Sequence, residues 1–509
     1  MSVSAPASDT PPAAEPRPML EATMQPAQAN HAARASKVRL GLLSVYGSGA
    51  LVENVTTAAI GGLLLFYLTV ICGLSGSLAG AALGITLVVD SLIDPVVGSL
   101  SDNSRSKHGR RHPFMIASIV PIVVAFGLLF SVPKGLSGLA LFGYALATLL
   151  SLRVAISFFY VPYMALGAEL TDDYAERSRI VAGRVFFTVL GGLAAAILTY
   201  GVFLKGNGRF DGAAYSPLAW VLSAIVAVAA VLSTLGTLGS RGRLHAAPDA
   251  GSFSPRQFAG EVFEVLRNRS FVSLFMPCLI LFTALGVAGT LTLHANTYFW
   301  KLTASQILLL TVIAPPGIFI GIFGASLLAR RIEKKATAML GLALIGVAQL
   351  GPVTLRLMGL ISLDQAMVAL GVATLLGGLG GSIATIAFQS MMADATDEHE
   401  HLFGARREGL YFAGITLSAK ASSGLGAWIG GIALDVIGFT HAISGAAPGK
   451  PVTTVPPDIA FKLAITYGPG AALFTSASVA VLMTYRLTKE RHAVIQEELK
   501  VRRGGQAAG

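Results

Sequence analysis

Asp90 and Asp94 stand four residues apart in an apolar stretch, 78–101, that holds no other charge. On a helix this spacing puts both carboxylates on one face, a turn apart. Two acids that close do not both stay ionised unless something positive joins them, so they share a proton or bind a cation. Their oxygens suit a hard cation such as Na⁺. Pro95 follows directly and cannot donate, so the carbonyl of Ser91 loses its helical partner and becomes a further oxygen for the site. The alternative role is structural, in which the aspartates bind a nearby Arg or Lys and lock the helix.

Other charges also fall inside apolar runs: Arg153, Arg184 and Lys420. Each costs about 2.5–3.5 kcal/mol at the centre of a membrane helix on insertion scales, so such residues face protein or water and are functional candidates. Arg184 and Lys420 fit as counter-charges for the aspartates or as donors to solute hydroxyls, Arg by its planar fork. Arg153 fits a structural or a functional role equally. Asn54, Tyr160, Tyr163, His294, Asn296 and Gln389 are uncharged candidates for lining a cavity or for bonds between helices. No nucleophile paired with a base is visible, nor any nucleotide-binding loop, so neither covalent catalysis nor ATP is expected to drive the protein.

The elements that position these residues follow from composition. The 509 residues are 53% hydrophobic and only 13% charged, against about 25% charged in soluble domains. The apolar residues gather in runs long enough to cross a bilayer core of about 30 Å. Twelve spans are expected: 40–70, 78–101, 113–131, 139–163, 180–204, 218–238, 270–298, 304–329, 336–356, 365–392, 409–436 and 462–486. Gly80 with Gly84, Gly191 with Gly192, and Gly426 with Gly430 would let helix backbones approach closely. Trp220 and Trp300 are expected in interfacial aromatic belts. The net charge of +10 is spread over the ends of the runs and forms no groove-facing patch, which excludes nucleic acid as a partner. Cys72 and Cys278 lie in or beside apolar runs, where no disulfide framework or metal site is expected.

Orientation follows from Lys and Arg. Apart from Arg153, Arg184 and Lys420, about seven of the 37 lie at span ends or in loops on one side and about 27 on the other. The positive-inside rule then places both termini in the cytoplasm and the chain in the inner (plasma) membrane. A basic turn at 105–111 returns at 330–335, and an acidic-then-basic loop at 169–179 returns at 394–407, both about 225–230 residues later. Six spans repeated in one orientation imply two bundles related by an axis along the membrane normal, with a solute site between them near mid-membrane. The expected organisation is a disordered cytoplasmic tail (1–38), a six-helix bundle (39–238), a cytoplasmic linker (239–269), a second bundle (270–487) and a cytoplasmic tail (488–509). Charges at the cytoplasmic helix ends are candidates for ion pairs that close one face between the bundles: Asp102, Arg110, Arg111, Glu169 and Arg177, then Asp394, Arg406, Arg407 and Glu408.

Several blocks resemble one family. Asp90-x-x-x-Asp94-Pro95-x-x-Gly98-x-x-x-Asp102 with Gly109-Arg110-Arg111-x-Pro113 is similar to the signature of the glycoside-pentoside-hexuronide:cation symporters, the branch of the major facilitator superfamily that contains the melibiose permease. Pro162-Tyr163-x-Ala165-Leu166, Glu169-Leu170-Thr171 and Glu176-Arg177-Ser178-Arg179 resemble its second block. Met392-Ala393-Asp394, Gly404-x-Arg406-Arg407-Glu408-Gly409 and Lys420 resemble its third. The resemblance implies an all-α membrane protein of the major facilitator fold and symport of a sugar with Na⁺ or H⁺. It implies cation binding at Asp90 and Asp94, Lys420 close by, and Arg184 beside the sugar. Where the melibiose permease holds galactoside hydroxyls with one aspartate in its first span and one in its fourth, this chain aligns Asn54 and Tyr160, which argues against a galactoside. Glu53 is adjacent to Asn54 but is expected to point about 100° away.

The expected function is therefore cation-coupled symport of a sugar or glycoside by a monomer that needs no cofactor beyond the coupling ion, with membrane lipid as its other partner. The candidate solute contacts are Asn54, Tyr160, Tyr163, Arg184 and Lys420. The alternative is a carrier of an amphiphile such as a lysolipid or a hydrophobic glycoside. A membrane sensor that binds solute without moving it finds no support, because no signalling domain is appended.

Overall fold

The computed structural model describes residues 39–104, 106, 109–171, 173–239, 260, 263–444 and 452–507. The expected tail at 1–38, most of the linker at 239–269, and Arg105, Lys107 and Asp172 lie outside them. The described residues contain helices and connections and no strand.

Twelve long helical stretches run in chain order. The first, α1, covers 40–71 and combines α-helices Leu40–Ser48 and Ala50–Ala59 with π-turns Ile60–Leu64 and Tyr67–Ile71. Then come α2 (Gly76–Asp102), α3 (His112–Leu129), α4 (Gly138–Glu169), α5 (Tyr174–Ala196, continued by the π-turn Ile197–Phe203) and α6 (Tyr215–Thr237). The second set is α7 (Arg269–His294, continued by the π-turn Ala295–Phe299), α8 (Ala304–Arg331), α9 (Lys334–Leu357), α10 (Leu363–Phe403), α11 (Glu408–Val436) and α12 (Pro457–Leu482). Ten of these are individually long and apolar enough to span a bilayer; the other two are the composite α1 and α11, which carries Lys420. Large apolar side chains such as Leu92, Phe186, Phe323 and Val368 point outward and exposed. A belt of that kind is stable only where lipid covers it. A thirteenth helix, α13 (Lys489–Ala507), occupies the expected tail at 488–509 and buries Ile495 and Leu499 in the core of the second half.

Helix ends are set by side chains. Asp173 caps α5 by accepting from Glu176 N–H, Asn268 caps α7, and Thr303 with Gln306 forms a capping box on α8. Pro95 and Pro162 sit inside α2 and α4 without breaking them.

Apart from α2, which packs most extensively on α11, the helices α1 to α6 pack chiefly on one another, and α7 to α12 do likewise. The halves meet along α2 and α11, and less extensively along α1 with α7 and α5 with α8. The α2–α11 contact is made of glycine. A Cβ on Gly80 would fall 2.8 Å from the carbonyl of Ala427, and one on Gly84 would fall 3.0 Å from that of Gly424. Gly426 similarly packs on Gly286 of α7. These contacts fall in the first third of α2, so the halves are joined at the end where α2 begins and not at the basic end where it finishes. Trp220 is exposed as expected; Trp300 is not in a belt but buried, with its ring against Phe299 and within cation–π distance (5.7 Å) of Arg356.

Candidate functional site

Just past the glycine contact, α2 and α11 present opposite charges to each other. Lys420 Nζ of α11 donates to Asp90 Oδ2 at 2.8 Å and to Asp94 Oδ2 at 2.5 Å. The one-turn spacing of the aspartates lets a single ammonium bridge both. They are not equivalent. Asp90 is buried, and its other oxygen accepts from Ser157 Oγ of α4 at 3.0 Å. Asp94 has a quarter of its side chain exposed, and Lys420 about as much. Access to the pair is therefore through Asp94.

A second pair lies beside the first. Arg153 of α4, buried, faces Glu53 of α1 with Nη1 to Oε1 at 3.9 Å, and Glu53 also accepts from Thr57 Oγ1 at 3.2 Å. Glu53 is within electrostatic reach of Asp90 and Lys420 as well. This corrects the expectation that Glu53 turns away: the inward-facing side of α1 carries Glu53, while Asn54 lies against Gly191 and Gly192 of α5. It also places Arg153, one turn before Ser157, on the α4 face that looks at the aspartates. Ser157 was not singled out from the sequence; the i, i+4, i+7 series Arg153, Ser157, Tyr160 was the signal available.

Tyr160 is half-buried and stands within reach of Asp94, Glu53, Lys420 and Arg184. Arg184 is half-buried; its Nη1 donates to Met164 Sδ at 2.8 Å, and no carboxylate pairs with it among the described residues. Tyr163 is 0% exposed, stacked on Tyr46 at 4.6 Å and packed against Phe159 and Tyr160. It supports the site from beneath and does not line open space. Asp90, Asp94, Tyr160 and Lys420 are thus brought together, Arg184 borders them, and Asn54 sits at a helix contact. His294 and Asn296 are buried at the glycine end, and Gln389 is exposed on α10.

At the glycine end three bonds cross between the halves, and the sequence did not single out Asp435, which accepts two of them. The N–H groups of Gly76 and Ser77, the first turn of α2, donate to Asp435 of α11 at 2.8 and 2.7 Å, and Thr440 Oγ1 donates to the same carboxylate at 2.6 Å. The helix N-terminus favours that negative charge. His294 Nε2 of α7, fully buried, is 3.0 Å from Thr69 Oγ1 of α1.

At the basic end, ion pairs among the described residues close within each half. Glu169 receives Arg110 at 2.5 Å and Arg111 at 2.6 Å, and Arg111 also meets Asp102 at 2.9 Å. Arg177 Nε donates to the carbonyl of Thr171. In the second half Lys334 holds Asp394 at 2.7 Å, and Arg406 joins Asp397, Glu400 and Glu408 at 2.7, 3.3 and 3.0 Å. The Arg407 carbonyl accepts from Leu410 and Tyr411 at the start of α11.

Comparison with known proteins places this arrangement. A family described as MFS/sugar transport protein matches residues 45–489. An uncharacterized symporter of Synechocystis sp. is 25% identical over 547 aligned positions, taking in 92% of this chain and 98% of the relative. The isoprimeverose transporter of Lactiplantibacillus pentosus is 23% identical over 404 positions, covering 77% of this chain and 80% of the relative. Among solved structures, a D-xylose–proton symporter shares the fold with a TM-score of 0.57 over 88% of this chain and 98% of that chain, at 14% identity.

Proposed function

This chain belongs to the MFS/sugar transport protein family, and on that premise we propose that it carries a sugar or glycoside together with a cation, Na⁺ or H⁺, by alternating access of two six-helix halves. It is a multi-pass membrane transporter with the major facilitator fold, not an enzyme. The halves are residues 39–238 and 270–487, joined by the linker at 239–269. The basic end faces the cytoplasm, with both termini on that side of the inner membrane.

One observation carries the reading: a single ammonium bridges two carboxylates across the interface of the halves, beside Tyr160 and Arg184. Lys420 occupies the place where a coupling cation would bind. A proton or Na⁺ arriving at Asp94 competes with that ammonium for the carboxylate. Displacement frees Lys420 to donate to a solute hydroxyl, so ion and solute strengthen each other's binding by the same factor. Tyr160 and Arg184 supply the remaining polar contacts, and Glu53 with Arg153 orients the wall. Six charged side chains around this space favour a hydroxyl-rich solute over an amphiphile.

Reorientation follows the two ends. In this conformation the glycine end is sealed, and the ion pairs of the basic end among the described residues lie within single halves. Closing the basic end would let Asp102, Arg110, Arg111, Glu169 and Arg177 exchange partners with Asp394, Arg406, Arg407 and Glu408.

The test is solute uptake into vesicles under an imposed Na⁺ or H⁺ gradient. Asp94→Asn is expected to abolish gradient-driven accumulation while leaving counterflow of solute measurable. Undiminished accumulation in this variant would remove the cation assignment.

A further inference from the structure

A second polar cavity lies away from the solute site, at the basic end of the second half. It has a volume of about 480 Å³ and is bounded by the start of α9, the middle of α10, the 485–488 connection and the start of α13. Its ionisable lining is biased to base: Lys334, Lys335, Arg486 and Lys489 against Glu333 and Asp394, with His492 beside them. Lys334 is neutralised by Asp394, and Lys335 donates to the carbonyls of Met483 and Tyr485. Arg486 and Lys489 are exposed, and neither forms an ion pair within 4.0 Å among the described residues, although Lys489 is in electrostatic reach of Glu490. Two helices, α9 of 24 residues and α13 of 19, begin at the rim, so both present the positive ends of their dipoles. The N-cap of α9, Glu333, makes no side-chain cap bond. Tyr485 also lines the cavity; its side chain is 3% exposed and its buried hydroxyl lacks a hydrogen-bond partner.

We propose that this cavity binds a phosphate group. Unpaired Arg and Lys, two helix N-termini and a free buried hydroxyl are the donors that recognise a phosphate oxygen. None of these groups belongs to the solute pathway. A phosphate can arrive on an anionic lipid or in solution. The cavity wall includes Ala329 and Ile332 at the end of α8, a helix whose large apolar side chains Phe323 and Leu327 are exposed. Basic pockets at the cytoplasmic ends of membrane helices bind anionic headgroups in this manner. A bound phosphate would tie α13 to α9, beside the bonds that already hold α13 on α10, His492 to Asp397 and Arg503 to Glu400.

The experiment compares the full chain with the double variant Arg486→Gln/Lys489→Gln, and with Lys462→Gln, an exposed base far from the cavity, as control. One arm counts lipids retained by native mass spectrometry after reconstitution in phosphatidylglycerol–phosphatidylcholine nanodiscs. The other measures thermal stabilisation in detergent by inorganic phosphate. Loss of phosphatidylglycerol retention by about fivefold per base removed, confined to the double variant, supports the site and names lipid as the source. Loss of stabilisation by inorganic phosphate in that variant alone supports the site and names a soluble phosphate. If the double variant matches wild type in both arms, the proposal is overturned. Basal solute uptake is expected to persist in the double variant, which keeps a failure to fold distinct from loss of the site.

Discussion

At the end where α2 begins, the two halves meet through backbone and small side chains; at the end where it finishes, the ion pairs among the described residues stay within each half. The glycine end is close-packed: Gly76, Gly80 and Gly84 face Gly424, Ala427 and Gly431, and Asp435 closes the first turn of α2 from the other half. The basic end is polar: the Arg110 and Arg111 pairs with Glu169 are largely buried, the Arg406 network is partly exposed, and among the described residues both close within their own half. Exposed ion pairs are worth about 0–1 kcal/mol and exchange readily, whereas packed small-residue contacts leave no slack. A carrier needs one seal that holds while the other opens. The difference implies that the glycine seal sets which conformation is stable and the charge networks set how easily it gives way.

Breaking the glycine seal should have the largest effect. A Cβ on Gly431 would collide with the backbone of Gly76 and lie 2.9 Å from Gly80 Cα. Gly431→Val therefore cannot be accommodated without parting α2 from α11. Overpacking costs about 1–3 kcal/mol, and here opening the end relieves it. The expected result is at least a tenfold loss of solute accumulation, together with labelling of a cysteine placed at Asn296, buried near this end, by an impermeant thiol reagent added from outside. Normal uptake with no labelling would mean that the glycine contact does not control the seal.

Between the two ends lies Lys420, and its removal sharpens the comparison. Breaking a buried pair by deleting one partner costs about 3–5 kcal/mol, but Asp94 is a quarter exposed, so a smaller penalty applies. Lys420→Ala should eliminate coupled uptake and leave the glycine end sealed, with no gain in outside labelling. The combination Lys420→Ala/Asp94→Asn should recover protein yield but not coupling. A gain in labelling would tie the charge bridge to the seal itself.

How much of this was legible beforehand follows from the physics of each feature. The spans could be read because bilayer thickness imposes run length directly. Asp90, Asp94 and Lys420 stood out because charge in an apolar run has no cheap explanation. Glu53 was missed as a site residue because the rotation of α1 about its axis depends on packing against α4 and α5, not on its own sequence. Asp435 was missed because it lies at a span end, where carboxylates are common, and its partners are backbone N–H groups 358 and 359 residues away. Tyr163 was over-read: a Tyr in a span resembles a cavity residue until the stack on Tyr46 is seen. The charges at the basic end stood out in the sequence, but their choice of partner did not, since pairing within a half or across halves is a property of conformation.

A subtler change tests the helix cap. Asp435→Ala removes three hydrogen-bond acceptances, two from the first turn of α2. Loss of a capping side chain costs about 0.5–2 kcal/mol, which shifts the balance toward the open glycine end by up to about 30-fold. Asp435→Asn keeps an acceptor and loses only the charge, so its shift should be severalfold smaller. Outside labelling of the reporter should rise in the order wild type, Asn, Ala. Equal labelling of all three would show that the cap is incidental to the seal.

The smallest effect is expected at the other end. Arg406 joins Asp397, Glu400 and Glu408, and its side chain is 41% exposed. Arg406→Gln removes interactions screened by solvent, worth about 0–1 kcal/mol each. Stability should change by less than one such pair, because Arg503 still holds Glu400 and His492 still faces Asp397. What should move is rate: if Arg406 also pairs across the halves when the basic end closes, uptake slows several-fold while the affinity for solute stays constant. Raising the salt on the side of wild-type vesicles that the basic end faces should reproduce part of that slowing, since exposed charges more than about 8–10 Å apart are screened. A variant with unchanged rate and no salt dependence would confine the network to its own half, and the ends of the molecule would then differ in kind as well as in strength.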